Sequence, residues 1–189
     1  MEEEKKEQGA GRVNVNAVLE EVVTDDFGPD AFELKIKYGN RHRIITDAPI
    51  LKNGRMRNHE WTAYVQLANL TCSKAHDLFK SVMFILPACY SNRYREVVSD
   101  KIIGSNSKDW FHCKEVGWGT VNVQIEINFK DDLGIQPVRL QHMTKFTPQG
   151  DSKVTTVRLP RAVAEQLNLA ARGSNVSPKN SSAKAESAF

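Results

Sequence analysis

The sequence predicts an all-β fold, a two-layer antiparallel sandwich, on the strength of three features. Residues 120–129 alternate between polar and apolar side chains, which is the two-residue period of a half-buried strand. The same alternation recurs in several other short segments, each bounded by turn residues. No helical periodicity alternates with these segments, so the strands are expected to pair antiparallel with one another.

The first part of the chain contains two predicted strands and a loop. Residues 13–19 alternate between apolar and polar side chains, and residues 32–38 do so more clearly. The pair Gly39-Asn40 that follows permits a tight change of direction. Residues 41–57 contain many Arg and Lys side chains against the single acid Asp47, which predicts an exposed basic loop.

The middle of the chain continues the sandwich. Residues 59–67 are rich in the aromatic and branched side chains that suit a sheet, and residues 73–79 predict a helical turn. Residues 82–86 are apolar on both faces, and Pro87 ends that strand because it has no N–H to donate. The last predicted strand follows a turn at residues 131–134 and contains Val138, Leu140 and Phe146.

The two ends of the chain differ from this pattern. Residues 1–11 form a charged leader that we expect to be disordered, and the sandwich domain is predicted over residues 12–147. Residues 148–173 are predicted to be a linker and a short helix, since Pro160 suits a first helical position and Gly173 a C-terminal stop. That helix is expected to dock on the sandwich or on a partner. Residues 174–189 are predicted to be a disordered tail.

Length and composition narrow the class of protein. The 189 residues suit one domain that folds without disulfides or metal, and the net charge of +3 permits an acidic partner without requiring one. No apolar run is long enough to cross a bilayer and no signal peptide is evident, so we expect no membrane partner. The three cysteines lack metal-ligand spacing and are expected to be reduced, buried thiols; they are Cys72, Cys89 and Cys113.

Trp118 is the first candidate for a recognition residue. It lies between Gly117 and Gly119, directly before the strand of residues 120–129. Ordering a glycine-flanked turn is costly in backbone entropy, which indicates that the indole either packs or binds something. The alternative is that the indole only plugs the end of the sandwich.

Several short motifs follow one another in the order found in one known family. They are His59-Glu-Trp-Thr-Ala-Tyr-Val65, Leu86-Pro-Ala-Cys-Tyr90, Arg95-Glu-Val-Val98, Val116-Gly-Trp-Gly119, Ile125-Glu-Ile-Asn-Phe-Lys-Asp131 and Pro137-Val-Arg-Leu-Gln-His142. In order and spacing, residues 32–147 resemble a YEATS domain of the Gly-Trp-Gly type. The resemblance implies an immunoglobulin-like sandwich in the nucleus that reads acylated lysine on histone tails, as a non-catalytic subunit of an acetyltransferase, remodelling or transcription complex.

The resemblance also implies which residues bind the ligand. In such domains the flat acyl group lies between two aromatic rings, which correspond here to Tyr90 and Trp118. The full set of implied acyl-lysine contacts is Tyr90, Trp118, Gly117, Gly119, Cys89, His59 and Arg57. No cofactor and no metal ion are expected.

The chain departs from the family pattern before the first aromatic ring. Pro87, Ala88 and Cys89 stand where the family has His, Glu and Ser, so a hydroxyl partner for the acyl amide is replaced by a weakly donating thiol. Arg57 stands where family members have Phe or His. The alternative function is therefore a degenerate domain retained as a protein-interaction scaffold.

Other functions are weighed on the same residues. His59-Glu60 is not a zinc motif, and adjacent residues of a strand face opposite sides, so His59 also fits a core or strand-edge histidine. Cys89 with His142 lacks an orienting third group for catalysis, and Cys72, Cys89, Cys113 and His112 are irregularly spaced for zinc. A methyl-lysine cage remains an alternative, with Glu115 or Asp131 as its carboxylate.

Two partner surfaces are predicted besides the pocket. The basic segment is a candidate for weak DNA contact; its cations are Arg41, Arg43, Lys52, Arg55 and Arg57. The helix within residues 160–172 is a candidate for assembly into the complex.

Overall fold

Alternating apolar side chains form two packed sheets in the computed structural model, which describes residues 31–48, 50, 54, 56–99 and 111–169. The described strands are β1 (Phe32–Ile44), β2 (His59–Leu67), β3 (Phe79–Ile85), β4 (Tyr94–Val98), β5 (Phe111–Gly117), β6 (Asn122–Phe129), β7 (Val138–Met143) and β8 (Asp151–Leu159). The first sheet has the order β5-β2-β1-β8 and the second the order β4-β3-β6-β7. All pairings are antiparallel, which confirms the predicted all-β sandwich.

The core lies between the two sheets. Ile125 and Ile127 of β6 face Leu34 and Ile36 of β1 across the interior, and all four are at most 1% exposed. Burying each such side chain contributes about 1.5–3 kcal/mol relative to leaving it in water. The strict alternation of β6 therefore sets which of its faces is buried.

Strand β1 runs straight through Gly39-Asn40, so the predicted turn there is wrong. Gly39 pairs with Tyr64 of β2 and with Ser152 of β8. A β-carbon at Gly39 would lie 2.1 Å from the carbonyl oxygen of Asp151, so this glycine is required by close approach of two strands and not by a turn. As a result Arg41 and Arg43 belong to β1 and not to a loop.

Three strands were not predicted from the sequence, namely β4, β5 and β8. Residues 151–159, predicted to be part of a linker, form β8 and pair with β1 over their whole length. The sandwich therefore extends past residue 147. The predicted strand at residues 13–19 and both predicted disordered ends lie outside the described residues.

Both helices are short. The predicted helical turn is α1 (Cys72–Leu78), and the predicted C-terminal helix is α2 (Arg161–Gln166). Val163 and Ala164 are buried in the sandwich core, and Lys74 Nζ donates to the carbonyl of Leu167 at 2.5 Å. The apolar side of α2 thus packs against its own domain. No helix in the described ranges has the length and apolar character of a membrane span.

Four connections gather at one end of the sandwich. They join β1 to β2, β3 to β4 over residues 86–93, β5 to β6 over residues 118–121, and β7 to β8 over residues 144–150. Since antiparallel strands alternate in direction, these four connections must share the same end. Trp118 and Tyr90 both lie at this end.

Candidate functional site

Trp118 lies at the tip of the turn that joins β5 to β6. The turn brings Gly117 opposite His59 on β2, in the last pair of that ladder. The indole is 47% exposed, which is unusual for so large an apolar side chain in a domain with a well-formed core. The predicted turn is confirmed, and its aromatic residue is presented at the surface.

Arg57 covers part of the indole. Its Nη2 donates a 2.6 Å hydrogen bond to the carbonyl of Val116, which ties the start of β2 to the end of β5. Its guanidinium carbon lies 5.7 Å from the centroid of the Trp118 ring, within the range of a cation–π contact. A fixed positive charge therefore stands beside the exposed indole.

Tyr90 is held by a tight turn after β3. The Tyr90 amide donates to the carbonyl of Pro87 at 3.1 Å, which places Ala88 and Cys89 at the centre of the turn. The Tyr90 ring is only 9% exposed and meets Trp61 edge to face, with 6.2 Å between centroids. Burial raises the pKa of the Tyr90 hydroxyl above its usual value.

The side chains of Tyr90 and Trp61 converge on Gly117, next to Trp118, and no ring contact is found between the two predicted pocket rings, Tyr90 and Trp118, among the described residues. A β-carbon at Gly117 would lie 3.0 Å from the Tyr90 hydroxyl and 3.6 Å from Trp61 Nε1. Within the described ranges, Tyr90 has its ring contact with Trp61 and Trp118 has its ring contact with Arg57. Tyr90 therefore supports the Trp118 turn from inside the sandwich.

The cysteines differ from the prediction of three buried thiols. Cys113 is buried, and burial raises the pKa of its thiol to about 12. Cys72 is half-buried, whereas Cys89 is exposed. The prediction is wrong for Cys89 because the hairpin after β3 carries this residue outside the space between the sheets.

His59 forms part of a stack beside the same turn. His42 Nε2 and His59 Nδ1 are 2.9 Å apart, within hydrogen-bonding distance, and both imidazoles stack on Phe146 at 4.7 and 4.4 Å between centroids. Burial and, to a smaller extent, the neighbouring His42 lower the pKa of His59. His59 is thus a partly buried strand-edge histidine with a defined partner.

Two histidines, His59 and His142, make stability depend on pH. The folded protein binds a proton at His59, and also at buried His142, less tightly than the unfolded chain does at a histidine pKa of 6.5. The unfolded state therefore gains protons first as pH falls below about 6.5, and we expect the Tm to be lower at pH 5.0 than at pH 7.5. Thermal denaturation followed by circular dichroism measures this.

A single substitution tests whether the fall in Tm comes from the histidine pair. His42→Phe keeps a ring on Phe146 but removes the imidazole beside His59, so we expect a smaller fall in Tm between pH 7.5 and 5.0. Glu60 and Asp151 also have lowered pKa values, caused first by Arg43 and Lys145 respectively, but they act below pH 4.5 and 3.8. An equal or larger fall in the His42→Phe variant would contradict the assignment.

One N–H donor near the turn is buried without an acceptor among the described residues. It is Arg57 Nε, whereas the Trp61 side chain forms a hydrogen bond that lowers the pKa of the Tyr90 hydroxyl and partly offsets the effect of burial. Each buried donor left unpaired costs about 1–3 kcal/mol. Such groups are expected where a structure serves a purpose other than its own stability.

A cavity of about 590 Å³ is lined in part by Arg57. Its lining comes from the segment after β1 and from β5, with Ile45, Asp47, Ala48, Arg57, Lys114, Glu115 and Val116. The volume falls in the range of ligand pockets, and the lining contains charges of both signs. Arg57 thus borders both this cavity and the exposed indole.

The two carboxylates considered for a methyl-lysine cage are not available at Trp118. Glu115 accepts two hydrogen bonds from Arg95 of β4, at 2.8 and 2.5 Å, and this pair joins the edges of the two sheets. Asp131 pairs with Lys80 and follows the far end of β6 from the turn. A caged quaternary ammonium would therefore meet the guanidinium of Arg57 and no unpaired carboxylate from this set.

The catalytic and zinc alternatives are also separated in space. His142 is 1% exposed and its Nε2 bonds the side-chain oxygen of Asn40 at 2.8 Å, whereas Cys89 is exposed on its hairpin. Across the ranges that the structure describes, no group of three His, Cys, Asp or Glu side chains could hold a metal ion.

The cations predicted to contact DNA divide into two groups. Arg41 and Arg43 project from the outer face of the first sheet, whereas Arg57 lies at the Trp118 turn. Lys52 and Arg55 lie outside the described residues. Arg41 and Arg43 therefore lie on a sheet face instead of in the predicted loop.

Sequence reasoning missed three residues that build this end of the sandwich, namely Trp61, His42 and Phe146. Each lies in a segment that reads as an ordinary strand or loop, and they meet only through strand register. The signal for Trp61 was its place on the inner face of β2, two residues after His59. No feature of the local sequence indicates the contacts of His42 and Phe146.

Comparison with known proteins matches residues 56–148 to the sequence model of the YEATS family. The chain is 25% identical over 112 residues to transcription initiation factor TFIID subunit 14b of Arabidopsis thaliana. That alignment covers 59% of this chain and 38% of the Arabidopsis protein, so the chain spans well under half of this relative's length.

Solved structures share the fold. The Yaf9 YEATS domain bound to H3K27ac has a TM-score of 0.56 at 19% identity and covers 74% of this chain and 94% of its own. The Yaf9 YEATS domain recognising an H3K122suc peptide gives 0.56 at 18% identity, with the same coverage of 74% and 94%. The crystal structure of the yeast AF-9 homologue Yaf9 gives 0.58 at 20% identity, covering 79% and 99%. The immunoglobulin-like sandwich expected from the resemblance is confirmed.

Proposed function

Residues 56–148 belong to the YEATS family, and from this premise we infer that the chain is a non-catalytic reader that binds acylated lysine on histone tails. The observation that carries the proposal is the indole of Trp118, which is 47% exposed on the turn between β5 and β6. Aromatic anchors of this kind dominate the binding energy of many interfaces.

Charge selects the ligand at this position. Acylation removes the positive charge of lysine, so the side chain can leave water at the cost of one amide. The guanidinium of Arg57, 5.7 Å from the indole centroid, repels an ammonium or a trimethylammonium group brought to the same ring. We therefore expect neutral or acidic acyl groups to be preferred over cationic lysines.

The remaining contacts complete the proposed site. Stacking on Trp118 contributes about 0.5–1.5 kcal/mol and a hydrogen bond from a turn amide of Gly117 or Gly119 about 1 kcal/mol. Tyr90 sets the position of the turn from below, while Cys89 and His59 border it. Contributions this small favour micromolar affinity over nanomolar affinity, with backbone contacts along the peptide supplying the rest.

Peptide residues on either side of the acylated lysine can contact a surface of this protein next to the indole. The cavity beside Arg57 offers Asp47 and Lys114 as ionic partners of either sign. A histone tail, rich in Lys and Arg, would place cationic side chains near Asp47. This surface gives the proposed reader contacts beyond the acyl group.

The relatives support this reading and suggest its setting. Yaf9 YEATS domains are seen bound to H3K27ac and recognising H3K122suc, and the Arabidopsis relative is a TFIID subunit. We therefore place the chain in the nucleus, as a subunit of a chromatin or transcription complex.

Peptide binding tests the proposal. Histone H3 and H4 tail peptides carrying unmodified, acetyl, crotonyl, succinyl or trimethyl lysine are titrated calorimetrically against the full chain. We expect micromolar binding of acyl peptides, and at least about tenfold weaker binding, or 1.4 kcal/mol, of the unmodified and trimethyl peptides. Arg57→Gln removes the charge that repels cationic lysine, so we expect the affinity gap between acyl peptides and the unmodified and trimethyl peptides to become smaller. Preference for trimethyl lysine would overturn the proposal.

One observation favours a second candidate, a scaffold domain that binds no acyl-lysine. Tyr90 is 9% exposed and packs on Trp61, so Trp118 alone offers a ring to a ligand. Failure of every acyl peptide in the same titration, with a cooperative thermal transition, would select the scaffold.

A further inference from the structure

The outer face of the first sheet is strongly basic. Alternate residues of β1, β2, β5 and β8 point away from the core, and this set is called the basic face below. Its charged residues are Lys35, Lys37, Arg41, Arg43, Lys114 and Arg158, against Glu33 and Glu60. The cations therefore outnumber the acids by three to one on this face.

The outer face of the second sheet has no such excess. Its strands present Glu96, Glu126, Arg139 and Lys80; Arg139 pairs with Glu126 and Lys80 with Asp131, both at 2.8 Å. The four charges of the second sheet therefore cancel, whereas six cations and two acids give the basic face a net charge of +4. An even scatter of surface charge would not produce this asymmetry.

Half of the cations on the basic face have no ion pair with a described residue. Glu60 is shared between Arg43 and Lys114, with 2.8 Å to the Lys114 ammonium. Lys35, Lys37 and Arg158 form no ion pair with any residue in the described ranges. Like charges held in neighbouring rows on a rigid sheet favour a polyanion.

The extent of the face and its lack of exposed rings point to a duplex. From Lys35 to Arg43 the strand rises about 27 Å, which corresponds to about eight base pairs. Single strands are held by aromatic rings on which bases stack. Tyr64 is the one Phe, Tyr or Trp on the described part of this face, and it is 6% exposed beneath Arg41.

We propose that the basic face binds the phosphate backbone of duplex DNA without sequence preference. The face continues to the Trp118 turn, because Glu60 pairs with Val116 in the ladder between β2 and β5. A histone tail bound at the turn would therefore hold the basic face close to the DNA from which the tail emerges. This activity does not depend on acyl-lysine binding.

Fluorescence anisotropy with a labelled 20-base-pair duplex tests the proposal on the full chain. Log K is expected to fall linearly with log salt, since phosphate contacts release counterions. The triple variant Lys35→Gln, Lys37→Gln and Arg158→Gln is expected to bind about tenfold more weakly at 100 mM salt, with a salt slope smaller by about 2 to 3. Arg139→Gln is the control on the opposite sheet.

The named outcomes decide between partners. Unchanged affinity and slope in the triple variant, or an equal loss in Arg139→Gln, would overturn the proposal. Equal binding of polyglutamate or of single-stranded DNA would show that the face is not selective for a duplex. Trp118→Ala should leave duplex affinity within twofold, which separates this activity from peptide reading. Circular dichroism of each variant verifies its fold.

Discussion

Replacement of Trp118 by alanine is expected to raise the Kd for the best acyl-lysine peptide at least about thirtyfold, or 2 kcal/mol, while the fold stays intact. The indole supplies the exposed ring of the proposed site, since Trp118 is 47% exposed and Tyr90 only 9%. Because the side chain is half outside the core, its removal should change the Tm little. Titration calorimetry and thermal denaturation measure the two quantities.

Two controls sharpen this prediction. Trp118→Phe keeps a ring on the turn and should retain most of the affinity. Tyr94→Ala removes another exposed aromatic ring, on β4 of the second sheet, and should leave the affinity unchanged. Wild-type affinity in Trp118→Ala would show that the indole only covers the end of the sandwich.

Replacement of Gly39 by alanine is expected to destabilise the domain by about 3 kcal/mol, which lowers the Tm by roughly 6–12 °C. The new β-carbon would lie 2.1 Å from the carbonyl oxygen of Asp151 and 2.7 Å from Cα of Ser152. Both neighbours are backbone atoms, so β1 and β8 must move apart instead of a side chain turning aside. Chemical and thermal denaturation measure the loss.

Gly119→Ala is the matched control for stability. A β-carbon at Gly119 meets nothing within 4 Å, so the Tm should stay within about 2 °C of the wild-type value. A Gly39→Ala protein as stable as the wild type would mean that the edge strand β8 is loosely held. In that case the long pairing of β8 with β1 would contribute little to the fold.

Local pattern sufficed for the strands that bury one complete face. Strand β6 alternates without exception, and β2 and the first half of β1 nearly so, because water lies on one side of each and the core on the other. The alternation in β5 is broken by Glu115, a carboxylate on the inner face that is tolerated because Arg95 of β4 meets it across the gap between the sheets. That compensation comes from a strand that sequence analysis also missed.

Edge strands gave weaker signals. Strand β8 forms an edge of its sheet and exposes most of its polar side chains, so it resembled a linker. Strand β4 is also an edge strand and has only five residues. Edge strands bury less and alternate less, which is why hydrophobic periodicity fails there.

The candidate site shows the same division. Glycine spacing and the alternation after it were enough to predict that Trp118 lies on a turn before a strand. The guanidinium of Arg57 reaches the indole, and Tyr90 reaches Trp61, only because separate loops meet at one end of the sandwich. These contacts join residues far apart in the sequence, so no local pattern predicts them.

By itself, therefore, the sequence determined the all-β class, the inner faces of the main strands and the Trp118 turn, because side-chain period and glycine placement act over a few residues. The tertiary structure decided which ring stays exposed, which charge stands beside it and which face of the sandwich is basic. These properties depend on strand order and register, which join residues far apart in the chain.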